Sequence, residues 1–319
     1  MSLSTSNSNK DIQFSFKQPF RRLLRPLLVC LFLLALYQSL VLGGVVPASD
    51  GINQRQGNQI KAERYIYNTG DPQIVLVGSS KTAVLLEKYF DSTPVTNISM
   101  SASSSQTGLK LVELKNKKPD VLLVELNYTL TIQPDYESIE PVQNPVLNLI
   151  KTGFPIFREE YKPVSVFVDT LKKESEERDE ENTDSPLDFV PNQELRKKII
   201  SDRIEKLQVS LPPEEKQEIQ EQSAVIKQEI IRLQERGIRV ILFDLPVEPQ
   251  VANTPQRNQE TALIREMFPE ERFEWLPQPP TEDWITFEGV HLVPPHAKKF
   301  AVFIQEQLLA SKNSKITGM

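Results

Sequence analysis

From Pro26 to Val46 the chain carries no charged residue, and the segment includes the run Leu27-Leu28-Val29-Cys30-Leu31-Phe32-Leu33-Leu34-Ala35-Leu36. As a helix it measures about 30 Å, the thickness of a bilayer's hydrocarbon core. Arg21, Arg22 and Arg25 stand directly before it, and no basic cluster follows. Length and basic flank together separate it from the core helix of a soluble protein. We expect a transmembrane signal-anchor over residues 21–46, with the bilayer as the partner of residues 26–46. By the positive-inside tendency the protein is single-pass, its N-terminus cytoplasmic and its main domain extracytoplasmic (periplasmic). The alternative is a cleaved signal peptide, for which Val46-Pro47-Ala48 is a poor small-residue site.

Charge divides at the same point. Five of the 37 basic residues but only one of the 43 acidic ones lie before residue 47, so the remainder is net acidic. That balance argues against nucleic acid or anionic lipid as an electrostatic partner of the outer part. The single cysteine, Cys30, rules out an internal disulfide framework. With one cysteine and two histidines there is no basis for a zinc site, and no Walker loop or dinucleotide fingerprint is present, so no metal and no cofactor is expected.

Residues 1–20 are rich in Ser and Asn and read as disordered; residues 47–70 are polar and read as a linker. Apolar runs and helical stretches then alternate over residues 71–310. Ile74–Val77, Val95–Met100, Asp120–Leu126, Gly237–Leu245 and Arg272–Leu276 are strand candidates. The third is apolar on both faces, as strands of a parallel sheet must be. Helices are expected over 82–89, 108–116 and from Pro294 to Leu309, the last opened by proline. This alternation predicts a three-layer α/β domain with a mainly parallel sheet. A helical and acidic insertion over 131–236 is too long for an ordinary crossover. Its Lys172–Asp184 stretch reads as a solvated loop. Leu195, Ile199, Ile200, Ile204 and Leu207 recur at helical spacing, as do Ile219, Ile226, Ile230 and Leu233. These predict two amphipathic helices packed on the sheet, or an arm for a protein partner or self-association. A flexible tail is expected over 311–319.

Histidine is so scarce that a serine mechanism needing an imidazole base must use His291 or His296. Serine is a weak nucleophile until a base takes its proton. Gly78-Ser79-Ser80 follows the first strand at once, which puts a hydroxyl at the sheet edge where open α/β folds bind ligands. On its own that motif is more often a helix cap. His291 lies three residues after Glu288, an acid-to-imidazole spacing suited to orienting a base. His296 follows Pro294-Pro295 and fits a helix start better than a base. Trp275 and Trp284 are candidates for a substrate-cleft lining or for core or rim packing, and Asp244 and Glu248 are read as solvated or capping.

Taken together, these segments resemble the SGNH (GDSL-like) hydrolase superfamily, in particular its membrane-anchored bacterial esterase and O-acyltransferase-like branch. The resemblance covers roughly residues 72–130 and 238–308. Gly78-Ser79-Ser80 matches the first block, Asn97 to Ala102 the second without its glycines, Asn127 the third, and Glu288-Gly289-Val290-His291-Leu292 the last, with Glu for the usual Asp. The resemblance implies a flavodoxin-like, SGNH-type, five-stranded domain. It implies Ser80 as nucleophile, His291 as base and Glu288 as its orienting acid, with Asp283 as a substitute for Glu288. The oxyanion would be held by the N–H groups of Ser80 and Ala102 and by the Asn127 side chain. The expected activity is hydrolysis or transfer of an O-acyl (acetyl) ester on an envelope or exported polysaccharide or a lipid. The rival expectation is a catalytically inactive, membrane-tethered binding or scaffold protein of a cell-envelope assembly.

Overall fold

The computed structural model describes residues 17–68, 70–91, 93–176, 190, 192–280 and 283–317. The expected disorder before residue 17 and most of the acidic 172–184 stretch fall outside these. The chain begins with α1 (Lys17–Leu42), whose segment Leu24–Leu42 is long and apolar enough to cross a membrane. Leu27, Leu28, Leu31, Phe32 and Leu33 are all more than half exposed, so this helix is not a core element. Glycine ends it: Gly44 takes φ +69°, and the Val45 N–H closes back on the Leu40 carbonyl at 3.0 Å.

The stretch 47–70, expected as a linker, instead folds as α2 (Gln54–Tyr67), capped by the Asn53 side chain on the Gln56 N–H. Ile60, Ala62, Tyr65 and Tyr67 are buried, and so is Glu63. The linker reading fails because polar partners from the insertion make burial of α2 possible. Lys151 Nζ lies 2.5 Å from Glu63, and Arg64 Nε 2.6 Å from Glu160.

Then follow β1 (Ile74–Val77), α3 (Ser80–Ala83), a 3-10 turn over Glu87–Tyr89, β2 (Val95–Asn97), α4 (Ser105–Leu114) and β3 (Val121–Glu125). The insertion contributes α5 (Tyr136–Gln143), α6 (Pro145–Gly153), α7 (Pro163–Glu176), α8 (Gln193–Lys206) and α9 (Pro213–Glu235). The chain closes with β4 (Arg239–Phe243), α10 (Pro249–Ala252), α11 (Pro255–Met267), β5 (Glu274–Trp275) and α12 (Pro294–Thr317). Residues 311–317, expected as a flexible tail, continue α12.

The five strands form one all-parallel sheet in the order β2-β1-β3-β4-β5. This is a doubly wound order, and its reversal point lies between β1 and β3. Side chains alternate between two cores. Val75, Val77, Leu122, Val124, Val240 and Leu242 pack with α2, α4, α9 and α11. Ile74, Leu76, Leu123, Ile241 and Phe243 pack with Phe300, Ile304 and other α12 residues. Gly108 is needed in α4 because a Cβ there would meet Val77 Cβ at 2.5 Å. The two amphipathic insertion helices diverge: α9 buries Ile219, Ile226, Ile230 and Leu233 in the core, whereas α8 buries only Ile200 and leaves Leu195 exposed.

Candidate active site

The C-terminal edge of β1 and β3, at the reversal point, is where the chemistry collects. After β1 the chain turns at Gly78 over a buried carboxylate, Glu125, the last residue of β3. A Cβ on Gly78 would collide with Glu125 Oε2 and Thr82 Oγ1, so only glycine fits. Glu125 accepts the Ser79 N–H (2.5 Å), the Ser79 hydroxyl (3.1 Å), the Thr82 hydroxyl (2.7 Å) and an Asn127 amide N–H (2.6 Å). Ser79 is thereby turned inward and buried. The next residue, Ser80, faces the other way at the start of α3.

Ser80 Oγ lies 2.8 Å from His291 Nε2. His291 Nδ1 is hydrogen-bonded to Glu288 Oε1. A carboxylate only accepts, so this contact assigns the proton to Nδ1 and leaves the Nε2 lone pair for the serine hydroxyl. Glu288 and His291 are carried by a tight loop. Thr286 and Leu292 bridge antiparallel, and the Phe287 N–H donates to the His291 carbonyl at 2.8 Å. Gly289 turns between them at φ +99°, its N–H on Thr286 Oγ1 at 2.8 Å. Asp283, the substitute acid, is exposed, and it is Glu288 that holds the imidazole.

Two groups outside the core blocks steady this loop. Arg196 of α8 donates to the Thr286 carbonyl and to Glu248, each at 2.6 Å, and Thr286 Oγ1 donates to the same Glu248 carboxylate at 2.9 Å. Glu248 is therefore neither solvated nor a simple cap, contrary to expectation. His296, the other histidine, accepts the Ile285 N–H on Nδ1 at 3.0 Å and packs edge-on against Trp284. It supports the loop and is not placed as a base. Trp284 is buried, and Trp275 packs partly buried against the core and donates to the Phe268 carbonyl at 2.7 Å.

Asn127 is at the expected place, but both its amide N–H bonds are taken, by Glu125 and by Asp244 at 2.8 Å. Its Oδ1 caps the following turn by accepting the Thr129 N–H. The donor expected for the oxyanion thus braces two carboxylates instead. Asp244 also meets the buried Lys81 ammonium at 3.2 Å, correcting its reading as a solvated residue. Burial alone would lower the Lys81 pKa; Asp244, Tyr128 and Glu125 more than offset this and hold it above the ordinary lysine value. A buried ammonium paired with Asp244 therefore sits one residue past Ser80. Arg257 stacks on Tyr128, 3.2 Å from the ring centroid, and completes the cluster.

The second block runs beside the first. The Met100 N–H donates to the Gly78 carbonyl at 3.2 Å, and Asn97 anchors the loop by donating to the Thr82 and Leu85 carbonyls. Ala102 adopts φ +52°, the one positive φ among the described non-glycine residues. An alanine thus holds a conformation that favours glycine. Asn58 of α2 clamps the loop, accepting the Ser101 N–H at 3.2 Å and donating to its carbonyl at 3.0 Å. Among the described residues, the N–H groups of Ser80 and Ala102 make no hydrogen bond within the protein.

Glu125, Lys81, Arg196 and Asn58 escape sequence reasoning. Glu125 alone leaves a trace, as an acid ending an apolar run. The fold and this constellation define a doubly wound α/β protein with a serine–histidine–glutamate array at its topological switch point. No protein-family model matches the chain, and no curated protein matches it, so the functional reading stands on geometry.

Proposed function

We propose that this chain is an SGNH-type serine ester hydrolase or O-acyltransferase, held at a membrane by α1 with its α/β domain outside. The observation that carries the proposal is the 2.8 Å approach of Ser80 Oγ to His291 Nε2, with Glu288 on the opposite ring nitrogen. In the reaction, Ser80 Oγ attacks the acyl carbonyl while Nε2 takes its proton. The resulting imidazolium is stabilised by Glu288 across Nδ1. The tetrahedral oxyanion is met by the N–H groups of Ser80 and Ala102. As the ester C–O bond breaks, His291 returns the proton to the leaving alkoxide, and an acyl-serine remains. Water or a sugar hydroxyl then gives its proton to His291 and releases the acyl group by the reverse route. The substrate class is an O-acyl ester of an envelope or exported polysaccharide or of a lipid.

The test is hydrolysis of p-nitrophenyl acetate and of acetylated glycans by the full chain, wild type beside Ser80→Ala. Release that disappears in the variant supports the proposal; equal rates remove Ser80 from the chemistry. One observation favours a second reading, a tethered binding or scaffold protein without catalysis. The Asn127 amide, the expected third oxyanion donor, is committed to Glu125 and Asp244. That reading predicts partner complexes that survive Ser80→Ala unchanged.

A further inference from the structure

Residues 145–171 reverse the usual sorting of side chains. On α6, Val146, Leu149 and Ile150 share one face by helical spacing, and that face points outward, Leu149 being 76% exposed. On α7, Val164, Phe167 and Leu171 do the same, and Phe167 is 66% exposed. Phe154 and Phe157 lie between the two helices, edge to face at 6.3 Å, and are also exposed. Four polar side chains of this segment go inward instead. Lys151 meets the fully buried Glu63, Glu160 meets Arg64, Gln56 donates to Ser165 Oγ at 2.6 Å, and Asp169 accepts the Asp50 N–H. Contiguous apolar surface of this kind marks an interaction site.

The end of α1 identifies the medium. The Tyr37 hydroxyl donates to the Tyr161 carbonyl at 2.7 Å, and Gln38 Oε1 accepts the Ile156 N–H at 3.3 Å. Beyond α1, the Ser49 N–H donates to the Glu160 carbonyl at 2.9 Å. Hydrogen bonds therefore tie the bare apolar helix to the turns between α6 and α7, with no free tether between them.

We propose that residues 145–171 form a docking surface for the headgroup–acyl boundary of a phospholipid bilayer, laid down around the point where α1 leaves the membrane. The proposal rests on α1 being a retained anchor. Two short amphipathic helices with aromatic side chains between them suit burial in the plane of that boundary. The domain then sits on the leaflet at a fixed height and orientation, and the Ser80 site works in that fixed position.

The test places the full chain, in a Cys30→Ser background, in nanodiscs of phosphatidylcholine and phosphatidylglycerol. A polarity-sensitive fluorophore is attached singly at Leu33→Cys, Leu149→Cys, Phe167→Cys or Val225→Cys; Val225 is an exposed residue of α9, outside the segment. Val146→Cys and Val164→Cys repeat the reading if a label disturbs folding. The expected result is blue-shifted emission at 33, 149 and 167, quenched by lipids brominated on their acyl chains, with neither effect at 225. Quenching at 33 alone overturns the docking surface and leaves the anchor standing. Loss of quenching at 33 as well removes anchor and docking together. Blue emission at 149 and 167 that brominated lipid does not quench marks a protein interface, and it also overturns the proposal.

Discussion

The edge of the sheet around Ser80 and the segment 145–171 handle polar groups in the same way and apolar groups in opposite ways. In both, buried carboxylates are matched by nearby donors: Glu125 by Ser79, Thr82 and Asn127, Glu63 by Lys151 and the Glu159 N–H. Around Ser80 the apolar side chains of the strands are sealed into two cores. Across 145–171 most of the apolar side chains, Ile156 apart, are left outside. On the proposed function the first region meets water and an ester, and on the further inference the second meets a hydrocarbon boundary.

The largest effect expected in the first region is chemical. Ser80→Ala should lower esterase kcat by roughly 10⁴-fold or more, and His291→Ala should do the same, because the pair acts as a unit. The double variant should be no worse than either single one, which a double-mutant cycle on kcat checks. Additive losses would break the proposed unit.

Next comes the buried carboxylate. Glu125→Ala strands four donors and should cost about 3–5 kcal/mol of stability, with activity falling alongside. Denaturant melting of the full chain in detergent measures it. A loss of activity without a loss of stability would mean that Glu125 acts on substrate, not beneath the turn.

Legibility followed the same division. The strands were readable because a parallel sheet buried on both faces demands unbroken apolar runs, as in Val121–Glu125. Ser80, Glu288 and His291 were readable because scarce histidine left few arrangements. What stayed hidden was polar burial. Glu63 in α2 and Glu125 in β3 look like surface acids until their partners, distant in sequence, arrive. That is why 47–70 read as a linker and why the engagement of Asn127 was invisible. The outward faces of α6 and α7 hid differently: their apolar spacing signals an amphipathic helix but does not say which medium the face meets.

Smaller effects sharpen the comparison. Arg196→Ala should free the Thr286 carbonyl and Glu248, lowering kcat about 10-fold through misplacement of His291. Arg196→Lys should recover only part, since one ammonium cannot serve both acceptors with the same fork. The pH–rate profile should change with Arg196→Ala if the arginine positions the loop, and a purely structural role would leave it unmoved. Ala102→Gly should raise stability by up to about 1 kcal/mol, by removing the left-handed penalty at φ +52°. Leu149→Glu in detergent should shift stability by no more than about 0.5 kcal/mol, as an exposed position allows. In nanodiscs the same substitution should weaken lipid contact at the neighbouring surface, and a large loss of stability in detergent would place Leu149 in a core after all.

The central claim is that Ser80 is an activated nucleophile. Intact-mass and peptide analysis after exposure of the full chain to a fluorophosphonate probe tests it directly. The account predicts one adduct on the peptide holding Ser80, absent in Ser80→Ala and strongly slowed in His291→Ala. No adduct in the wild type, or labelling of the wild type that persists in Ser80→Ala, would contradict it.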